Sequence, residues 1–283
     1  MTGITTSSMA VFTDLDGTLL DHHTYCFSAA IPMLQKLKSL NIPVIPNTSK
    51  TFDELIFIRQ KLGLDSPFIA ENGAAVYIPL SFLANPSFDQ MRSVLDLHDD
   101  GDHYIKTFTE PRQYWLMLLE THASHFAHLY TGFSSMSIPE IQHETGLSLE
   151  QAEAASKRHF GEPLKWHGSD EELQEFTLIM QDAGVCVVKG GRFVHVSGVT
   201  DKGQAMTWLS SIMEVNTTVA LGDGENDTSM LEKADVAVQI RSPVHAFPIL
   251  TCRSRVIQTL GVGPIGWNEA VETILSDSNL GFV

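Results

Sequence analysis

The chain has 283 residues and a formal net charge of −16 at neutral pH, with 43% hydrophobic and 18% charged residues. That balance is globular, and so negative a molecule argues against nucleic acid or an anionic membrane surface as partner. Cys26, Cys186 and Cys252 are odd in number, widely spaced and without a CxxC pair, so neither a disulfide framework nor a zinc knuckle is indicated. Residues 1–8 are polar, without a basic or apolar leader segment, and no run approaches the roughly 18 apolar residues of a membrane span. A cytoplasmic protein is expected.

Met9 to Asp14 (MAVFTD) is an apolar run ending in carboxylates, the pattern of a buried strand. Ser28–Leu40 carries helical spacing, Asn41–Pro46 returns to a strand, and Phe52–Leu62 is again helical. Pro67–Ala70 and Gly73–Ile78 read as extended, and this alternation predicts a parallel sheet covered by helices. From about Ser81 to Ser197 the rhythm breaks. The acidic stretch Asp96–Asp102, helix-like Gln113–Leu129, the run Ser148–Phe160 and helix-like Asp170–Ala183 precede two short β runs around Gly190-Gly191, a hairpin signal. Thr218–Leu221, Asp227–Lys233 and Val236–Ile240 then resume the strand–helix–strand pattern. The expected fold class is α/β: a Rossmann-like core of residues 1–80 and 198–283, interrupted by an inserted α+β domain over 81–197.

Two acidic clusters carry the chemistry. Asp14-Leu15-Asp16-Gly17-Thr18 follows the first predicted strand, and Gly222-Asp223-Gly224-Glu225-Asn226-Asp227 follows a later one and opens a helix. In an open parallel sheet ligands bind at the carboxyl ends of the strands, where both clusters would emerge. Carboxylates two residues apart can divide the roles of nucleophile and general acid/base. Oxygen ligands at a strand end suit Mg²⁺, which takes few carboxylates and keeps several waters. Singly, each cluster also reads as an Asp-Gly turn or a helix cap; two after buried strands are harder to attribute to turns.

With Thr48 in NTSK and Lys202 in TDKG, these clusters give four ordered motifs, and the chain resembles the haloacid dehalogenase-like phosphohydrolases over nearly its whole length. The resemblance implies that Asp14 attacks phosphorus to form an aspartyl-phosphate, while Asp16 protonates the leaving oxygen and then activates water. Thr48 and Lys202 would hold phosphoryl oxygens. Mg²⁺ would sit on Asp14, the backbone carbonyl of Asp16, and Asp223, with Asp227 supporting the site. The insertion between Thr48 and Lys202 resembles the Cof-type, type 2 capped branch, whose cap closes over the substrate.

Narrower strings, NTSKT, AENGAAVY, TGLSLEQA, KRHFGEPL, GGRFVHVSG and GPIGWNEAV, resemble the mannosyl-3-phosphoglycerate phosphatase group. The implied partner is a small phosphorylated glycoside, mannosyl- or glucosyl-3-phosphoglycerate, with no nucleic acid or membrane. Ser49, Lys50, Arg158 and Arg192 would meet the substrate's phosphate and carboxylate. Glu71, Asn72, Glu162, Gly191, His195 and Asn226 would meet its hydroxyls or position it. The resemblance departs at His159-Phe160-Gly161, which bears on sugar preference. Other sugar phosphates, or phosphoryl transfer to a sugar as in a phosphomannomutase, remain alternatives. His122, His125 and His128, three residues apart, drift around a helix and read as exposed rather than as ligands. The aspartates of 96–102 do not match a calcium loop.

Overall fold

The computed structural model describes residues 9–82, 97–190, 192–251 and 255–277. The expectations for residues 1–8, Asp96, Gly191 and Cys252 lie outside them. Two compact units divide the chain: Met1–Ser49, Leu64–Lys106 and Asp201–Val283 form the first, Lys50–Gly63 and Thr107–Thr200 the second.

The first unit is built on a five-stranded sheet of strands β1 (Met9–Thr13), β2 (Val44–Pro46), β11 (Thr217–Gly222), β12 (Val236–Arg241) and β13 (Arg255–Val262). Its order is β13-β12-β11-β1-β2, and every pairing is parallel. Parallel strands covered on both faces read as continuous apolar runs, and all five residues of β1 are buried. β1 is flanked by β11 on one side and β2 on the other, so strand order reverses there. The register Thr13↔Leu221 and Thr13↔Pro46 makes residues 14, 222 and 47 leave the sheet side by side. Asp14 N–H donates to Leu221 O at 2.9 Å, and Asn47 N–H to Thr13 O at 2.8 Å.

Helix α1 (Ile31–Ser39) begins three residues later than the periodicity predicts, after a 3₁₀ turn at Ser28–Ala30. The parallel-sheet expectation holds for the next two strands only at one bridge, Asn47↔Ile69. β3 (Phe68–Ala70) and β4 (Ala75–Pro79) pair antiparallel and join β5 (His98–Asp99) and β6 (His103–Thr107) in a separate sheet, β3-β4-β6-β5. Parallel strands need a crossover of a dozen or more residues. Here the chain reverses within Glu71-Asn72-Gly73, all three at positive φ (48°, 59° and 89°). The aspartate-rich loop after β5 closes on itself, with Asp99 and Asp100 accepting backbone bonds from Gly101, Asp102 and His103.

The second unit holds α2 (Phe52–Leu62), α3 (Arg112–His122), α4 (Ile138–Thr145), α5 (Leu149–Ser156) and α6 (Asp170–Asp182) around the antiparallel sheet β7-β8-β10-β9. Its strands are β7 (Tyr130–Gly132), β8 (Gly161–Trp166), β9 (Cys186–Lys189) and β10 (Val194–Ser197); the expected hairpin is β9–β10. Capping boxes start α2 at Thr51/Glu54, α5 at Ser148/Gln151 and α6 at Ser169/Glu172, satisfying amides that a helix leaves unpaired. One face of this sheet packs Leu164, Val194 and Val196 on Trp115, Leu118, Phe126, Phe176 and Met180. His122, His125 and His128 are exposed beside this core.

Candidate active site

Four side chains from three places in the sequence meet at the carboxyl end of β1 and β11. Lys202, the first residue of helix α7 (Lys202–Ile212), reaches Asp14 Oδ1 at 2.7 Å and Asp227 Oδ1 at 2.6 Å, 188 and 25 residues away along the chain. Carboxylate oxygens of Asp14, Asp223 and Asp227 all lie within 4.8 Å of one another, and all three residues are buried. Thr18 Oγ1 donates to Asp223 Oδ1 at 3.0 Å. Asp227 Oδ2 accepts the N–H groups of Asp223 and Gly224, each at 3.0 Å, which shapes the turn that presents Asp223. Two glycines allow this crowding: a Cβ on Gly17, at φ +80°, would lie 2.6 Å from Asp223 Oδ2, and one on Gly222 would lie 2.5 Å from Asp227.

The electrostatics are short of positive charge. Lys202 sits at a helix N-terminus, the end that disfavours cations. Burial also opposes its charge, yet Asp14 and Asp227 hold its ammonium well above the usual lysine range. Burial raises the Asp223 carboxyl, and the charge of Asp14 raises it further. Burial likewise raises Asp227, with Lys202 opposing and Asp14 adding to the effect. Three buried carboxylates thus share one ammonium, with an all-oxygen donor set. Those residues fit a hard divalent cation, which would relieve the repulsion that Lys202 leaves.

Supporting contacts fix each strand end. Asn47 Nδ2 donates to Lys202 O at 3.0 Å, and Thr48, buried beside it, takes the Asn72 N–H on its carbonyl at 2.8 Å. Asn226 Nδ2 donates to Asn72 Oδ1 at 3.3 Å, so two of the expected substrate residues stand together, with Glu71 buried next to them. Helix α9 (Pro264–Leu275), not expected as an element, explains the GPIGWNEAV string. Its buried Trp267 donates from Nε1 to Thr13 Oγ1, which in turn donates to Asp14 O. Helix α8 (Thr228–Lys233) follows Asp227. Asp16, partly exposed, stands in the bridge Asp16↔Leu20 just beyond the carboxylate cluster. His245, absent from the sequence reading, places Nε2 3.3 Å from Asp223 Oδ2. No spacing or motif around it marks it.

Ser49 ends the first stretch of the first unit. In the second unit, Lys50 pairs with Glu54 at 3.6 Å. Arg192 Nη1 donates to Glu144 O and Thr145 O at 3.2 and 2.6 Å, capping the C-terminus of α4. Glu162, 1% exposed, accepts from Arg112, from Ser134 N–H at 2.9 Å and from Ser134 Oγ at 2.7 Å. Arg158 stands near His195. Burial, with the Arg158 charge adding, lowers the His195 imidazole from 6.5 to about 4.

This last shift has a consequence for acid stability. Between about 4 and 6.5 the unfolded chain binds a proton at His195 that the folded chain does not. Stability therefore falls as pH drops through that window, by up to about 3 kcal/mol from this residue. Urea unfolding of His195→Asn at pH 7 and pH 4.5 is expected to show a smaller acid loss than wild type. An equal loss in both would rule out a neutral buried imidazole.

A buried aspartate cluster after DxDGT, with a lysine clamped between two of its members, on a parallel sheet with an insertion, defines a class of hydrolase. The chain belongs to the haloacid dehalogenase-like hydrolases, the family that matches residues 11–242. It is 32% identical to a glucosyl-3-phosphoglycerate/mannosyl-3-phosphoglycerate phosphatase of Methanococcoides burtonii, over 95% of this chain and 98% of that one. Its identity to a protein of the same description from Persephonella marina is 34%, over 96% and 99%. Among solved structures, a Thermotoga maritima protein superposes with a TM-score of 0.66 at 20% identity, covering 95% of this chain and 98% of that one. The sucrose-phosphatase of Synechocystis superposes at 0.58 and 16%, over 94% and 97%. Both share the fold. Among the described residues no helix is long and apolar enough to cross a membrane.

Proposed function

We propose that this hydrolase is a Mg²⁺-dependent phosphatase of mannosyl-3-phosphoglycerate and its glucosyl counterpart, releasing mannosylglycerate or glucosylglycerate and phosphate. The observation that carries the reading is Lys202 held between Asp14 and Asp227 beside Asp223. The names of the two relatives supply the substrate class.

In this reading Asp14 Oδ attacks phosphorus and the glycerate oxygen leaves, taking its proton from Asp16. The aspartyl-phosphate is then hydrolysed by a water whose proton passes to Asp16. Two carboxylates with different surroundings divide these roles: Asp14 is buried against an ammonium, whereas Asp16 is partly exposed. A carboxylate attacking a phosphate dianion is repelled unless cations cancel the charge. Lys202 provides one of them, and Thr48 would donate to a phosphoryl oxygen. Asp14, the Asp16 carbonyl, Asp223 and Asp227 would hold Mg²⁺, which when bound would neutralise the equatorial oxygens. Residues 81–197 would act as the cap, with Arg158 recognising the glycerate carboxylate.

The decisive experiment compares kcat/KM for mannosyl- and glucosyl-3-phosphoglycerate with that for simple hexose phosphates. A preference of at least tenfold for the phosphoglycerates is expected, and equal or reversed values would overturn the substrate. Chelation gives a further expected outcome. EDTA should abolish turnover, and Mg²⁺ should restore it and raise the unfolding midpoint by several degrees, since a ligand at about 100 times its Kd adds about 2.7 kcal/mol. Full turnover in EDTA would exclude the cation.

A further inference from the structure

No motif marks Arg112, yet it is buried and bonded to three residues of the second unit. Its guanidinium donates from Nε to Glu162 Oε2 at 2.5 Å, pairs through Nη2 with the same oxygen, and donates from Nη1 to Ser156 O at 3.0 Å. Its backbone N–H donates to His159 O at 2.6 Å. All these contacts fall on one short stretch, from the end of α5 to the start of β8. The other Glu162 oxygen takes both donors of Ser134, and Gly132 leaves the room, since a Cβ there would lie 2.3 Å from Glu162 Oε1. That stretch carries Arg158 and His159. The His159 ring stacks on Phe52 with centroids 6.3 Å apart. On the neighbouring strand, Val196 pairs with Glu162 and His195 with Pro163, so His195 projects from the opposite face of the sheet.

A buried ion pair gives up much of its Coulomb energy to desolvation, and an apolar pair of equal volume is often as stable. The Arg112–Glu162 pair is therefore a poor device for stability alone. It is a good device for fixing where a backbone runs, because a planar guanidinium with donors directed at both Glu162 and Ser156 tolerates little displacement.

We propose that Arg112 is a positioning residue for substrate selection: through Ser156, His159 and Glu162 it fixes the segment that presents Arg158 to an anionic group of the leaving alcohol. The inference rests on the phosphoglycerate reading above for the identity of that group. Arg112 does not itself bind substrate, its guanidinium being turned to Glu162 and Ser156. Arg158 is the residue through which it acts.

The test is a double-mutant cycle on the full chain, read as the ratio of kcat/KM for glycosyl-3-phosphoglycerate to that for p-nitrophenyl phosphate, which has no carboxylate. Arg112→Lys keeps a positive charge opposite Glu162 but loses the fork to Ser156. Its ratio is expected to fall at least tenfold, through KM rather than kcat. In the Arg158→Ala background, Arg112→Lys should change the ratio less than twofold, because the residue it positions is gone. Glu162→Gln, which keeps the shape and removes the charge, should follow Arg112→Lys. An unchanged ratio in Arg112→Lys, or full additivity with Arg158→Ala, would overturn the assignment. A lowered unfolding midpoint with an unchanged ratio would mark Arg112 as merely structural and overturn it equally. If the wild type shows no preference for phosphoglycerates, the substrate reading falls separately. The cycle is then read on the best phosphoester found, where a loss confined to that ester and absent in the Arg158→Ala background supports the positioning role, and any other pattern overturns it.

Discussion

Asp14→Asn is expected to abolish turnover while leaving the protein folded. The amide has no anionic oxygen to attack phosphorus, and loss of a covalent nucleophile costs roughly 10⁴-fold or more in kcat. The fold should survive because the substitution removes one of three crowded carboxylates. Lys202 keeps Asp227 at 2.6 Å, and the Asp14 backbone keeps its bonds to Leu221 and Thr13. The lost charge-assisted bond to Lys202 is offset by relief of repulsion on Asp223, whose carboxyl burial and Asp14 together raise. Phosphate release, trapping of the phosphoenzyme and the unfolding midpoint are the measurements. Turnover within about 100-fold of wild type would remove Asp14 from the nucleophile's role.

Lys202→Met is the second large effect, and it acts on stability as well as on rate. The ammonium is fully buried and touches two carboxylates, so deleting it leaves uncompensated charge in the interior. Breaking a buried pair in this way costs about 3–5 kcal/mol. For a chain of this size that lowers the unfolding midpoint by roughly 10 °C. The rate should also fall by roughly 10²–10³, the typical cost of removing one preorganised donor to developing charge. The loss of stability should be largest in EDTA and smaller in Mg²⁺, because a divalent cation would then carry the charge balance. A variant as stable as wild type without divalent cation would show that Asp14 and Asp227 do not depend on Lys202.

Much of this architecture is written in local sequence. The run MAVFT reads as a buried strand and is one. The capping boxes at Thr51 and Ser169 start helices at the two segments that read as helical, Phe52–Leu62 and Asp170–Ala183. Non-local choices were not readable. Phe68–Ala70 bridges Asn47 in parallel through Ile69 and also pairs antiparallel with β4, and the second pairing is set by the left-handed turn at Glu71–Gly73. β13 and α9 were missed, although α9 supplies the tryptophan behind Asp14. Arg192 carries the same charge whether it caps α4 or meets a carboxylate, and its contacts at Glu144 and Thr145 lie 47 or more residues away.

By itself the sequence determined the two acidic clusters, their position after apolar strands and their order with Thr48 and Lys202. These depend on the chemistry of adjacent residues. Only the tertiary structure decided that Lys202 bridges Asp14 and Asp227, that Asp223 joins them, and that Arg112 bonds to Ser156, His159 and Glu162. The physical reason is that parallel pairing of β1 with β11 brings together residues about two hundred positions apart. A buried charge is tolerated only where such pairing delivers its partner.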